Sequence, residues 1–150
     1  MVGVKPPNLI LRDTSDTKWH DFYSLKSEYT IVYFWDPECG HCKKITPKLE
    51  TLYQKKFKER NVEIFAIGKA VGEEYQKWKD FVKKNNLTFI NVAVTDPLYT
   101  AAMEDARQFV PKFTTIESLN YQTTYDIFST PKVYVLDKDK KIIAKNISIS

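Results

Sequence analysis

The chain has 150 residues, 43% hydrophobic and 14% aromatic, with a formal charge of +4. These values fit one domain of ordinary size with a real core and exclude a disordered chain, which would carry fewer aromatics and more net charge. The densest basic run (Lys55, Lys56, Lys58, Arg60) is interleaved with Phe57 and Glu59 like a solvated helix face, which argues against nucleic acid as a partner. No apolar run approaches the ~20 residues of a membrane span.

Residues 1–10 lack the charged and apolar regions of a signal peptide. Residues 4–22 carry Pro6-Pro7 and then short apolar runs broken by polar turns, which predicts an extended lead-in with a small hairpin. The nearly continuous apolar run YTIVYFW at 29–35 suits a strand buried on both faces. A helix is expected from about Cys39 to about Arg60, because Ile45, Leu49, Leu52, Tyr53 and Phe57 recur at helical spacing; Pro47 should kink it. A strand at 62–68, an amphipathic helix at 73–86 with Tyr75, Trp78, Phe81 and Val82 on its apolar face, and a strand at 87–94 follow. This βαβαβ alternation predicts an α/β fold with a parallel sheet flanked by helices. Residues 97–110 read as helix broken by Pro111, residues 116–127 as another helix, and 132–137 with 140–147 as a hairpin.

Both cysteines lie in FWDPECGHCKK, at 39 and 42, with Gly40 and His41 between them. Two cysteines cannot make a disulfide scaffold, so the core must come from packing. As a structural bridge the pair would close too small a loop to contribute much entropy. As a metal site, Cys39, His41 and Cys42 offer three ligands, but zinc needs more, and the other histidine is His20. As a redox pair the placement is apt: a cysteine at the first turn of a helix meets unpaired N–H groups and the positive end of the dipole, which favour thiolate. Cys39 would then sit exposed at the helix start, and Cys42, one turn in, would be more buried and placed to attack a mixed disulfide on Cys39. His41 should favour thiolate further.

The segment IVYFWDPECGHCKKITPKL resembles the active-site segment of thioredoxin-fold thiol-disulfide oxidoreductases, in particular the TlpA-like and ResA-like branch of bacterial extracytoplasmic proteins. Four features coincide in order: the strand ending in Phe34-Trp35, the C-x-x-C, Pro47 five residues after the second cysteine, and Ser129-Thr130-Pro131 just before a strand. The resemblance covers nearly the whole chain. It implies a single thioredoxin-like domain over 1–150, a central mixed sheet flanked by helices, with Cys39 as attacking nucleophile and Cys42 as resolving thiol. It also implies a cis bond at Thr130-Pro131, holding the Thr130 backbone beside the sulfurs to pair with an extended substrate. Trp35, Pro37, Thr130 and Pro131 are the expected substrate-contacting positions, while Glu38, Gly40 and His41 tune the motif. The working group would be the Cys39–Cys42 disulfide itself, with no cofactor and no metal. Protein thiols or disulfides and a redox partner protein are the expected partners, outside the cytoplasm, with an anchor possible only in a longer protein.

The departures from the family pattern carry expectations of their own. Relatives carry Trp before the first cysteine where this chain has Glu38, whose carboxylate should oppose thiolate formation. Tyr33 stands where thioredoxins have a buried Asp, and Ile45 where ResA-like proteins have a Glu, so neither supplies a proton acceptor for Cys42, and Glu38, His41 or water would substitute. Residues 97–117 read as an insertion before the proline loop, and the family's last helix is missing, as in a domain cut from a longer chain. Gly-His between the cysteines is the pair of protein disulfide isomerases, suggesting a potential nearer about −180 mV than about −270 mV. Two other functions stay open: a copper- or zinc-handling domain using His41 and His20, and an interaction domain whose chemistry has lapsed.

Overall fold

The computed structural model describes residues 2–146. β1 (Ile10–Asp13) and β2 (Trp19–Asp21) form the expected N-terminal hairpin. β3 (Tyr29–Trp35) leads into α1 (Gly40–Leu52), and β4 (Val62–Gly68) into α2 (Glu74–Lys84). β5 (Ile90–Ala93) leads into α3 (Asp96–Glu104), followed by two short helices, α4 (Ile116–Leu119) and α5 (Tyr121–Thr124). β6 (Lys132–Leu136) and β7 (Ile142–Lys145) close the chain as an antiparallel hairpin. The expected second strand ran to 147, a position outside the described residues.

The seven strands among the described residues join one mixed sheet in the order β2-β1-β5-β4-β3-β6-β7. β5, β4 and β3 run parallel, while β1 and β6 pair antiparallel on either side of them. The twofold side-chain alternation of strands sorts the core onto two faces. Ile31, Tyr33 and Trp35 of β3, with Ile64 and Ala66 of β4, pack under α1 and α2 against Cys42, Ile45, Leu49 and Trp78. Val32 and Phe34, with Phe65 and Ile67, face the lead-in and the 97–127 segment through Leu9, Phe22, Leu98, Tyr121 and Tyr125. Burial on both faces explains why β3 reads as a nearly continuous apolar run. The N-terminal segment lies along β7, where Gly3 donates to Ile142 O at 2.7 Å and Ile142 to Val4 O at 2.8 Å.

Gly68, the last residue of β4, faces the indole of Trp78 on α2. A Cβ at Gly68 would lie 2.4 Å from Cδ1 of that ring, which is wholly buried. The strand and the helix can approach this closely only over a glycine.

Four elements differ from the sequence reading; one is the helix expected over 116–127, which splits at Asn120 into α4 and α5 and stops at Thr124. The first helix reaches Arg60 as expected and runs through Pro47, but beyond Leu52 it widens to a π turn (Tyr53–Phe57) and tightens to a 3-10 turn (Lys58–Arg60), ending at left-handed Asn61. β5 begins at Ile90 rather than 87, because the buried Glu50 carboxylate takes the backbone N–H of Thr88 (2.7 Å) and that of Phe89 (3.4 Å) away from strand pairing. The 97–110 helix stops at Glu104, six residues before Val110, because Asp105 turns extended and its side chain caps a separate turn, Ala106–Gln108. The Val110–Pro111 bond is cis. Two residues tie the expected insertion to the core: Leu98 is fully buried, and the buried Thr114 hydroxyl donates to Ile10 O at 2.6 Å.

Candidate active site

The site forms where β3 ends. Asp36 O accepts the Cys39 N–H at 3.0 Å, closing a turn, and Asp36 Oδ1 accepts the Glu38 N–H at 2.8 Å. This turn delivers Cys39 to the N-cap of α1, where its sulfur accepts the Cys42 N–H at 3.3 Å. A cap of this kind satisfies one of the orphan donors of the helix start and favours a charged sulfur. Cys39 is half-buried, whereas Cys42, one turn further in, is fully buried, and both thiols are free.

The two sulfurs differ in acidity. Burial pushes the Cys39 thiol up, but the Cys42 thiol and N–H, the Thr130 side chain and the His41 N–H outweigh it and bring it below the ordinary value. Burial pushes Cys42 up to about 12, with the neighbouring Cys39 adding to the rise; the Asp36 N–H and the Thr130 side chain offset only part. The arrangement is one accessible sulfur biased toward thiolate and one sheltered sulfur held as thiol.

The Thr130–Pro131 bond is cis, and Thr130 O lies 3.5 Å from Cys39 Sγ. A cleft of about 230 Å³ opens beside them, lined among others by Trp35, Asp36, Lys69, Tyr121, Phe128 and Thr130. Trp35 and Pro37 are both buried: the Trp35 ring packs on Phe81 at 5.1 Å, and Pro37 lines a second cleft with Lys43, Lys77 and Lys84. Gly40 and His41 are exposed on the first turn of α1. Phe128, just ahead of the proline loop, is 90% exposed.

Glu38 is exposed and ion-paired with Lys77 of α2, so a cation partly cancels the charge expected to oppose the Cys39 thiolate. Tyr33 is buried beneath the thiols with its hydroxyl 2.8 Å from Thr46 Oγ1, and burial raises it far above the neutral range. Ile45 is an ordinary core residue. His20 lies on β2 at the sheet edge, bonded to Asp13 at 2.8 Å, with β1, β5 and β4 between it and β3. The fold thus does not bring His20 to the thiols, and the metal reading loses the fourth ligand it needed.

Sequence reasoning passed over two acidic residues. Asp36, on the turn, and Glu74, at the start of α2, bring their carboxyl groups within hydrogen-bonding reach, and with Glu38 their ligand oxygens all lie within 4.8 Å of one another. Burial first, and then the Asp36 carboxyl, push Glu74 up to about 6, against the pull of Lys69, whose Nζ is 3.3 Å away. Thirty-eight residues separate the two carboxylates, and Glu74 reads locally as an ordinary acidic first turn of a helix. Only the close approach of α2 to the end of β3 joins them.

A family model described as thioredoxin-like matches residues 27–142. The thiol-disulfide oxidoreductase ResA of Bacillus cereus is 27% identical over 146 residues, spanning 97% of this chain and 69% of that protein. ResA of Bacillus anthracis is 25% identical over the same length. Among solved structures, a domain of a possible thiol-disulfide isomerase from Cytophaga hutchinsonii is 32% identical, with a TM-score of 0.72, covering 98% of this chain and 84% of that one. The thioredoxin domain of a thiol-disulfide oxidoreductase from Bacteroides vulgatus has the same fold at 20% identity, TM-score 0.72, covering 98% of this chain and 89% of that one.

Proposed function

The chain belongs to the thioredoxin-like family and is a thiol-disulfide oxidoreductase; from that premise we propose that Cys39 and Cys42 are its working couple and that it exchanges disulfides with protein thiols. The observation that carries this assignment is the contrast between the two sulfurs: Cys39 half-buried, capping a helix and biased to thiolate, Cys42 buried and held as thiol one turn away.

In the reducing direction, the Cys39 thiolate attacks one sulfur of a client disulfide. A Cys39–client bond forms, and the other client sulfur leaves as thiolate. Cys42 then loses its proton and attacks Cys39 Sγ. The mixed disulfide breaks, the second client thiolate departs, and two electrons have passed from the dithiol to the client. The oxidising direction runs the same bonds backward. Thr130 O beside Cys39 and the open cleft next to it support an extended client segment seated along the proline loop, with Phe128 exposed to meet it. A separate redox protein resets the couple, and the setting is extracytoplasmic, a reading that rests on the resemblance to the ResA-like branch. Among the described residues no helix is long and apolar enough to cross a membrane.

Insulin reduction by a dithiol tests the assignment. Cys39→Ser should abolish catalysis while a substitution at the remote, exposed Glu117 leaves it intact; full activity in Cys39→Ser would sink the reading. Equilibration with glutathione buffers should show one two-electron midpoint. The Gly-His pair and the depressed Cys39 thiol support a midpoint nearer about −180 mV than about −270 mV.

A further inference from the structure

The resolving step needs somewhere for the Cys42 proton to go, because a buried thiol is a poor nucleophile until it is deprotonated. The positions expected to supply an acceptor hold Tyr33 and Ile45. Yet Glu74 Oε2 is shut off from solvent and faces no donor, an expensive state for a carboxylate oxygen. Its neighbour Asp36 offers only another carboxylate. The hydrogen that would satisfy Glu74 Oε2 is therefore one held between the two carboxyl groups. The Asp36 N–H is also one of the groups that counter the rise of the Cys42 thiol, and the Asp36 side chain lines the cleft that Trp35 and Thr130 share.

We propose that Asp36 is the base that takes the Cys42 proton when the mixed disulfide is resolved, and that Glu74 positions this base by sharing the proton once it arrives. The inference rests on Cys39 and Cys42 being the working couple. In the step, the S–H bond of Cys42 breaks and its proton passes to the Asp36 carboxylate. The freed electron pair forms the Cys42–Cys39 bond, the Cys39–client bond breaks, and the client sulfur leaves with that bond's electrons. The proton rests between Asp36 and Glu74 and returns to solvent through the cleft. No other oxidant or reductant is required. The charged and titratable groups around the pair are Lys69 at the end of β4, Glu38 on the turn, Lys77 and Glu73 on and beside α2, Tyr121 on α5, and the two thiols. Lys69 balances one carboxylate and Lys77 is engaged by Glu38, so the pair retains excess negative charge. That excess favours proton uptake, consistent with the Glu74 pKa being pushed up to about 6.

The reaction of the reduced chain with the aromatic disulfide DTNB separates the steps. A first phase releases one thionitrobenzoate as Cys39 attacks. A second phase releases another as Cys42 resolves the mixed disulfide. Asp36→Asn keeps the acceptor for the Glu38 N–H but loses the base. We expect its second phase to slow by about tenfold or more at pH 7. The deficit should shrink toward pH 9, where hydroxide takes the proton, and Asp36→Glu should recover part of the rate. Glu74→Gln should move the acid limb of the second-phase profile away from pH 6. A second phase with wild-type rate and pH profile in both variants, or one slowed equally at every pH, would overturn the inference. If Asp36→Asn does not fold, the Glu74→Gln profile decides. The absence of any first phase in the wild type would instead remove the working couple itself, and the inference with it.

Discussion

Removing Cys39 leaves Cys42 as the only thiol, and its reactivity then measures how far the fold suppresses it. With a pKa of about 12, a thiol at pH 7 is ionised to about one part in 10⁵, against about 3% for an ordinary cysteine near 8.5. The ratio is about 3,000. Part of the rise comes from Cys39 itself, by its thiol and its charge, while burial, the larger cause, remains in Cys39→Ser. The expected slowing is therefore at least about a hundredfold, and complete exclusion of Cys42 from the surface can only add to it. Alkylation by iodoacetamide at pH 7, followed by mass spectrometry, gives the rate in the folded chain, and the same chain in urea gives the reference. Labelling of folded Cys42 within about tenfold of the unfolded rate would refute the account of a sheltered thiol. In the complementary variant, Cys42→Ser, whose hydroxyl still donates to Cys39, labelling should titrate with a midpoint below that of a free thiol.

Two predictions concern stability. Gly68→Ala drives a methyl group into the buried Trp78 ring, so overpacking should cost about 1–3 kcal/mol and lower the thermal midpoint by roughly 2–12 °C by differential scanning calorimetry; an unchanged midpoint would contradict the close approach. Glu74 has a folded-state pKa raised from 4.5 to about 6, so its contribution is fully present below about 4.5 and lost as pH rises through about 6. Wild type should lose on the order of 1 kcal/mol across that window relative to Glu74→Gln, read as a pH-dependent gap between their urea midpoints; parallel curves would show that Glu74 is not perturbed.

The frame was legible because its signals are local. β3 and β4 have the bounds that their apolar runs predict, since strands buried on both faces read as nearly continuous apolar segments. The cysteine pair, Pro47 and the Ser-Thr-Pro run are likewise short patterns. What escaped depends on long-range side-chain capture. Nothing near residue 88 announces that Glu50 will claim its N–H, and the polar Asp105 looks like any helix residue until its side chain caps the next turn. The same holds at the site: the turn and helix that carry the thiols were readable, whereas the Asp36–Glu74 and Glu38–Lys77 pairs and the displacement of His20 to the sheet edge exist only once α2 and the strand order are in place.

The contact between Gly68 and Trp78 works as a key in a slot. An indole occupies the space where any other side chain would begin, so α2 cannot slide along or roll over β4 without withdrawing the ring. Glu74 lies one turn before Trp78 on that helix and inherits its fixed register. The placement of the Glu74 carboxylate beside Asp36 is thereby held by shape as well as by the Lys69 ion pair, which salt could loosen. A larger residue at position 68 would have to move the helix first, altering the electrostatics of the site with every charge in the chain still present.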